Sequence, residues 1–303
     1  MKTAAKKTKP GTRLSPALLR SWPLPSLAGA HGKEDRGRVL VVGGSSEIPG
    51  GVTLAAEAAL RAGAGKLQIA TAQSAAKVLA IAMPEARVIG LSESRSGELA
   101  RRSVQKISGE AERCNALVVG PGMVDSAAAE ELLRRCVLGA CSGLLVVDGA
   151  ALDAFRGQRQ LPAAQERGVI ITPHSGEMAR LCGIDRDEVL RRPAALAREV
   201  ARALDVVVVL KGPVTHLAAP DGRYLVNTAG NVGLGTSGSG DVLAGIIGGL
   251  AARGADAFQA AAWGVFTHAR AGELLARQIA PLGFLARELL PVIPRVLHQL
   301  GSD

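Results

Sequence analysis

Short apolar runs alternate along this chain with segments whose apolar residues recur every three or four positions. Arg38–Val42, Lys66–Ala70, Ala116–Val119, Leu144–Val147, Val169–Thr172 and Val206–Leu210 are largely apolar runs of strand length, which predicts strands buried on both faces. Thr53–Ala62, Ser126–Leu138, Leu161–Arg167 and Pro193–Leu204 carry helical spacing between them. The alternation predicts an α/β fold with a mostly parallel central sheet covered by helices on both faces. Met83-Pro84-Glu85 marks a turn. Thr215–Ala219 and Arg223–Val226, separated by Asp221-Gly222, predict a β-hairpin. Ala257–Leu300 is expected to be helical, broken at Pro281 and Pro291.

Chemistry-bearing residues cluster just after the predicted strands. Gly43-Gly44, Gly120-Pro121-Gly122, Asp148, Pro173-His174-Ser175-Gly176-Glu177 and Lys211-Gly212-Pro213 all sit there. Ligands of open parallel sheets bind beyond the carboxyl ends of the strands, so these residues are expected to line one crevice. The glycine pattern is not the dinucleotide fingerprint, because G-x-G-x-x-G is absent.

The hairpin delivers the chain to Asn227–Gly240, a polar glycine-rich loop, followed by an apolar segment with helical spacing from Asp241. Gly235, Gly238 and Gly240 before a helix start make a phosphate cradle, because unpaired amides there face an anion. Asp241 would repel a phosphate. It makes sense as a base that takes a proton from the hydroxyl attacking phosphorus, or more plainly as a stabiliser of the first helical turn. The length of the glycine run favours the base. His174 is a candidate substrate contact or a structural loop residue, and Glu177 a cap for the following helix. Lys211 pairs with a phosphate or ends a strand in solvent. Thr215 contacts a nucleotide or favours the strand. Asp148 orients a magnesium-bound water or satisfies loop amides, and the sequence leaves both open. His31, His216, His268 and His298 show no metal spacing and are background.

The totals change this picture little. The chain has 303 residues, 48% hydrophobic. That length buries roughly three quarters of its unfolded surface without staples. Aromatics are only 2%, which weighs against a base-stacking platform for nucleic acid. Of the net charge of +9, residues 1–38 contribute +7, so the basicity belongs to the start of the chain. Residues 1–30 are expected to be a basic tail, disordered through residue 15, with a short docking helix within Leu14–Trp22. Residues 31–303 are expected to form one domain. Cys114, Cys136, Cys141 and Cys182 lack zinc spacing and read as buried free thiols of a reducing cytoplasm. No secretory leader or membrane-spanning run is evident.

Taken together, VVGGSSEIPGG with LAAEAALRAGAGK, VVGPGM, VVDGAAL, ITPHSGEMARL, VVLKGPVTHL and NTAGNVGLGTSGSGDVLAGIIGGLAARG resemble the NAD(P)H-hydrate dehydratases of the ribokinase-like superfamily. The resemblance runs over roughly residues 30–300, in the family's order. It implies a ribokinase-like three-layer α/β/α fold and repair of NADH or NADPH hydrated at ring carbon C6. The donor would be ADP, or less favoured ATP, with Mg2+. Phosphorylating the C6 hydroxyl makes it a better leaving group, and the ring nitrogen then expels phosphate. The resemblance implies Asp241 as the base, with the amides of Gly238 to Gly240 on the phosphoryl group. It places Gly51, Gly122, His174 and Asp241 on the hydrated cofactor. Lys211, Gly212, Pro213, Val214, Thr215 and Gly240 fall on the nucleotide. It also implies a homo-oligomer, a tetramer, acting beside a separate epimerase, since the roughly 35 residues in front of the first strand cannot hold that domain. No nucleic-acid or membrane partner is expected.

The chain departs from the family at three places. Ile48, Gly50 and Gly51 stand where Tyr, Gly and Ala are frequent. Ala150 replaces the second Asp of DADAL. Ser239 replaces Thr in GTGD, keeping the hydroxyl. The alternatives are a related small-molecule kinase acting on a vitamin-precursor alcohol, which would leave a stable phosphorylated product, and a nucleotide-binding protein without turnover.

Overall fold

The computed structural model describes residues 11–26, 29, 31–100, 103–124, 129–131, 133, 141–157 and 168–301. Its centre is one sheet. Parallel strands β2 (Arg38–Val42), β3 (Lys66–Ala72), β4 (Ala86–Leu91), β5 (Ala116–Val119), β6 (Leu144–Val147), β7 (Val169–Ile171) and β8 (Val207–Leu210) form its body. The antiparallel hairpin β9 (Thr215–Ala218) and β10 (Tyr224–Asn227) extends it. A short strand β1 (Thr12–Arg13) closes that side, giving the order β1-β10-β9-β8-β7-β6-β5-β2-β3-β4 among the described residues. The apolar runs were expected to be buried on both faces, and they are. Val39 and Val41 face one layer while Leu40 and Val42 face the other, the period of two a strand imposes.

On the first face pack α2 (Gly50–Arg61), α8 (Ser239–Ala252) and α9 (Ala257–Gln278). The second carries α5 (Ser175–Cys182), α6 (Arg186–Arg191) and α7 (Pro193–Leu204). Two of these helices position the site. A Cβ at Gly245 would stand 2.1 Å from the Ala55 carbonyl oxygen, and one at Gly249 2.3 Å from that of Ala59. Glycine and alanine at matching four-residue steps therefore let α2 and α8 lie backbone to backbone. One step earlier, the same register brings Gly51 to Asp241.

The sequence reading needs correction in two regions. Disorder through residue 15 fails from Thr12 onward, and residues 12–26 belong to the body rather than to a tail. Thr12 pairs with Leu225 and Arg13 with Val226. A helix α1 (Pro16–Arg20), capped by the Ser15 hydroxyl, is shorter than the expected Leu14–Trp22 span. The Trp22 carbonyl accepts bonds from Gln259 and from the Trp263 indole. The second region is 73–111, where α3 (Gln73–Ala82), β4 and α4 (Val104–Ala111) form without having been anticipated. The expected helix at Leu161–Arg167, most of that at Ser126–Leu138, Cys136 and residues 1–10 lie outside the described residues. Cys114 and Cys141 are buried free thiols and Cys182 is half-buried.

Candidate functional site

Gly120 to Gly122, Asp148, His174 and Lys211 follow the carboxyl ends of the central strands. The floor of the crevice is the entry to α8. Gly238 takes φ +86°, a left-handed conformation that suits glycine. The first helical bond runs from the Val242 amide to the Gly238 carbonyl. The amides of residues 239–241 therefore have no helical partner. Ser239 donates its amide to Thr236, 3.2 Å away. The Gly240 and Asp241 amides, with the positive end of the helix behind them, are left for an anion. A Cβ at Gly240 would meet only the tips of side chains, Lys211 Nζ at 3.3 Å and Asp148 Oδ2 at 3.7 Å. The space above Gly240 is thus bounded by charge rather than by backbone.

Asp241 sits at the second edge of this floor. The Gly122 amide donates to its carboxylate. Gly51 is pressed between the two: its Cβ would stand 2.6 Å from the Gly122 nitrogen and 3.2 Å from Asp241 Oδ1. Three residues expected at one site, Gly51, Gly122 and Asp241, are brought together. Burial, reinforced by the Asp148 carboxylate, raises the Asp241 pKa to about 6, against the opposing Lys211 charge and the Gly122 amide. A carboxylate titrating there is ionised at neutral pH yet basic enough to accept a proton from an alcohol as phosphorus is attacked.

A charged knot forms the opposite wall. Lys211 Nζ lies 2.7 Å from Asp148 Oδ1 and 3.9 Å from Glu177 Oε2. The Thr172 hydroxyl donates to the same Asp148 oxygen at 2.6 Å. Burial disfavours the Lys211 charge, but the Asp148 and Glu177 carboxylates outweigh it and raise its pKa. Lys211 is therefore a fixed cation, with its amide bonded to the Pro173 carbonyl at 2.8 Å. Asp148 does not satisfy loop amides as one reading had it. Its Oδ1 anchors Lys211, and its Oδ2 is turned toward the cradle.

His174 caps α5. Its Nδ1 accepts from the Gly176 and Glu177 amides at 3.0 and 3.2 Å, and Glu177 accepts from the His174 amide at 2.7 Å. Glu177 is thus the cap that the sequence suggested. Because Nδ1 accepts, the ring proton is on Nε2, and burial keeps the ring pKa below its ordinary value. Gly212, Pro213 and Val214 are exposed in the loop between Lys211 and Thr215, which opens β9 opposite Asn227.

Sequence reasoning missed one group. His268, set aside as background, is half-buried against Ser239 in the floor of the crevice. Nothing in its local sequence marks it, since Ser239 is on another helix. Among the described residues, no cluster of three or more His, Cys, Asp or Glu could hold a metal ion alone.

A family profile described as NAD(P)H-hydrate dehydratase matches residues 39–295. An ADP-dependent (S)-NAD(P)H-hydrate dehydratase of Xanthomonas campestris pv. campestris is 49% identical over 285 residues, covering 94% of this chain and 95% of that one. A bifunctional NAD(P)H-hydrate repair enzyme of Moorella thermoacetica is 37% identical over 96% of this chain, which spans only 54% of it. The crystal structure of the ADP/ATP-dependent NAD(P)H-hydrate dehydratase of Bacillus subtilis, co-crystallised with ATP and Mg2+, superposes with a TM-score of 0.83. It is 29% identical and is covered in full, against 97% of this chain.

Proposed function

The chain belongs to the NAD(P)H-hydrate dehydratase family, and from that premise we propose how its ribokinase-like fold carries out the reaction. It is a lyase that uses ADP to dehydrate the S-epimer of hydrated NADH or NADPH. Asp241 takes the proton of the C6 hydroxyl as that oxygen attacks the β-phosphorus of ADP, and AMP leaves. The ring nitrogen lone pair then expels phosphate from C6, and loss of a proton from C5 of the resulting iminium restores the dihydropyridine. The net products are NAD(P)H, AMP and phosphate.

The observation that carries this mechanism is the Asp241 carboxylate, held by the Gly122 amide at the start of α8 with its pKa raised to about 6. The Gly240 and Asp241 amides hold the phosphoryl oxygens, whereas Ser239, within the Gly238 to Gly240 set, spends its amide on Thr236. Gly51, Gly122 and His174 contact the hydrated cofactor, and Lys211 to Thr215 with Gly240 contact the nucleotide. Lys211 adds a fixed positive charge beside the transferred group. A nucleotide-bound Mg2+ needs only one or two carboxylates from the protein. Asp148, whose Oδ2 faces the cradle, fits that role. The ion would neutralise phosphate charge.

The reading extends to a homo-oligomer, a tetramer, acting in the cytoplasm beside a separate epimerase. Val78 and Ile81, apolar and exposed on α3, suit a subunit contact. No helix among the described residues is long and apolar enough to cross a membrane.

The test incubates purified protein with hydrated NADH, Mg2+ and either ADP or ATP, following the absorbance of the regained dihydronicotinamide. Recovery is expected, faster with ADP. Nucleotide binding without recovery would overturn the mechanism, and a stable phosphorylated product would point to the kinase.

A further inference from the structure

One half-buried titratable side chain reaches the cradle from a helix that contributes nothing else to it. His268 Nε2 on α9 lies 2.9 Å from Ser239 Oγ on α8. Ser239 is buried, 3% exposed, and His268 is half-buried, so the contact sits at the inner edge of the cradle. The ring can reach because α8 and α9 are nearly in backbone contact. A Cβ at Gly264, one turn before His268, would stand 2.5 Å from Ile247 Cγ1, and Ile247 is two turns beyond Ser239. Burial keeps the imidazole neutral, with its pKa lowered to about 4, although the Ser239 carbonyl favours the charged form.

A half-buried histidine is most often a satisfied structural residue. This one is tied to the one residue on which the cradle depends. In the turn Gly238-Ser239-Gly240, only Ser239 has a side chain. Glycine on either side gives the backbone access to a phosphoryl group but no anchor. Ser239 is held at two points, by its amide on Thr236 and by its hydroxyl on His268. The next two amides, those of Gly240 and Asp241, are the ones left for ligand.

We propose that His268 is a positioning residue for phosphoryl transfer. Through the Ser239 hydroxyl it fixes the first turn of α8, so that the Gly240 and Asp241 amides and the Asp241 carboxylate keep one geometry. The proposal rests on the phosphoryl-transfer reading of the same cradle. It extends the site to a second helix and gives Ser239 a partner.

The test compares wild type with Ser239→Ala, His268→Phe, the double variant and His268→Asn. His268→Phe is expected to lower kcat about tenfold or more, since small displacements of reacting groups are costly. The Kd for ADP should stay within about twofold. The double variant should be no worse than the worse single variant, because His268 acts only through Ser239. His268→Asn, which keeps a hydrogen-bonding side chain, should recover part of the loss. A His268→Phe kcat within about twofold of wild type, or losses that multiply in the double variant, would overturn the proposal. A second readout does not depend on turnover. Adding AMP with inorganic phosphate should shift the Gly240 and Asp241 amide resonances in wild type and His268→Asn, and much less in Ser239→Ala. Equal shifts in all three would sink the positioning role. Failure of NADH recovery in wild type alone would count against the dehydratase mechanism instead.

Discussion

Two glycine-rich turns enter the paired helices α2 and α8, and their glycines are there for different reasons. Before α2, chain is pressed on chain. A Cβ at Gly43 would stand 2.1 Å from the Pro121 carbonyl oxygen, and one at Gly51 2.6 Å from the Gly122 nitrogen. At the start of α8, a Cβ at Gly240 would reach nothing nearer than the Lys211 ammonium at 3.3 Å. Gly43 and Gly51 serve to pack, and Gly240 serves to leave room. Packing the first turn tightly is what lets the second stay open, because Gly51 and Gly122 hold the carboxylate that faces the gap.

The largest effect expected is at the point where the two turns meet. Asp241→Asn should lower kcat about a thousandfold, the range of a lost general base, with ADP affinity nearly unchanged. The same variant should be more stable than wild type above pH 6. The folded pKa lies above that of the unfolded chain, so ionising Asp241 destabilises the fold as pH rises through that window, and Asn removes the penalty. Thermal midpoints at low and neutral pH check this, and a gap that does not grow with pH would contradict it.

Next come the glycines themselves. Gly240→Ala should cut kcat/KM about a hundredfold while leaving stability within about 0.5 kcal/mol. Gly51→Ala should instead cost about 1–3 kcal/mol in urea unfolding, since its methyl group has no room. If both variants behave alike in both assays, the contrast between the two turns is wrong.

A smaller, directional effect lies in the pH profile. The acid limb of kcat/KM should fall near the raised Asp241 pKa of about 6. Asp148→Asn should move it to lower pH by removing a like charge and freeing Lys211. Lys211→Met should move it to higher pH. Limbs that shift together in one direction would remove Asp241 as the titrating group. The smallest change is Ile48→Tyr at the exposed rim of the first turn, expected to lower KM for hydrated NADH about twofold by adding an aromatic contact.

The parts legible in advance were those that local sequence dictates. Apolar runs buried on both faces predicted the parallel strands, and Pro193–Leu204 formed over the expected residues. Stretches that owe their structure to distant partners were not legible. β4 is a half-exposed edge strand with a weak apolar signal, and β1 is two residues that exist as a strand only against Leu225 and Val226. The same divide runs through the site. The glycines and Asp241 are contiguous and could be read. Lys211 with Asp148, 63 residues apart, could be placed in one crevice but not joined as a pair. His268 could not be read at all, because its meaning comes from a neighbouring helix.

The pairing of β1 with β10 also sets an order of events during synthesis. Thr12 emerges ahead of its partner Leu225, which lies some two hundred residues further along. At about 5–20 residues per second that separation is about 10–40 s of translation. Throughout that interval Leu14, buried in the finished protein and bonded through its amide to the Val226 carbonyl, has no sheet edge to dock on. Ribosome-bound chains arrested before Tyr224 should therefore be cut by protease near Arg13, and chains that have released β10 should resist there.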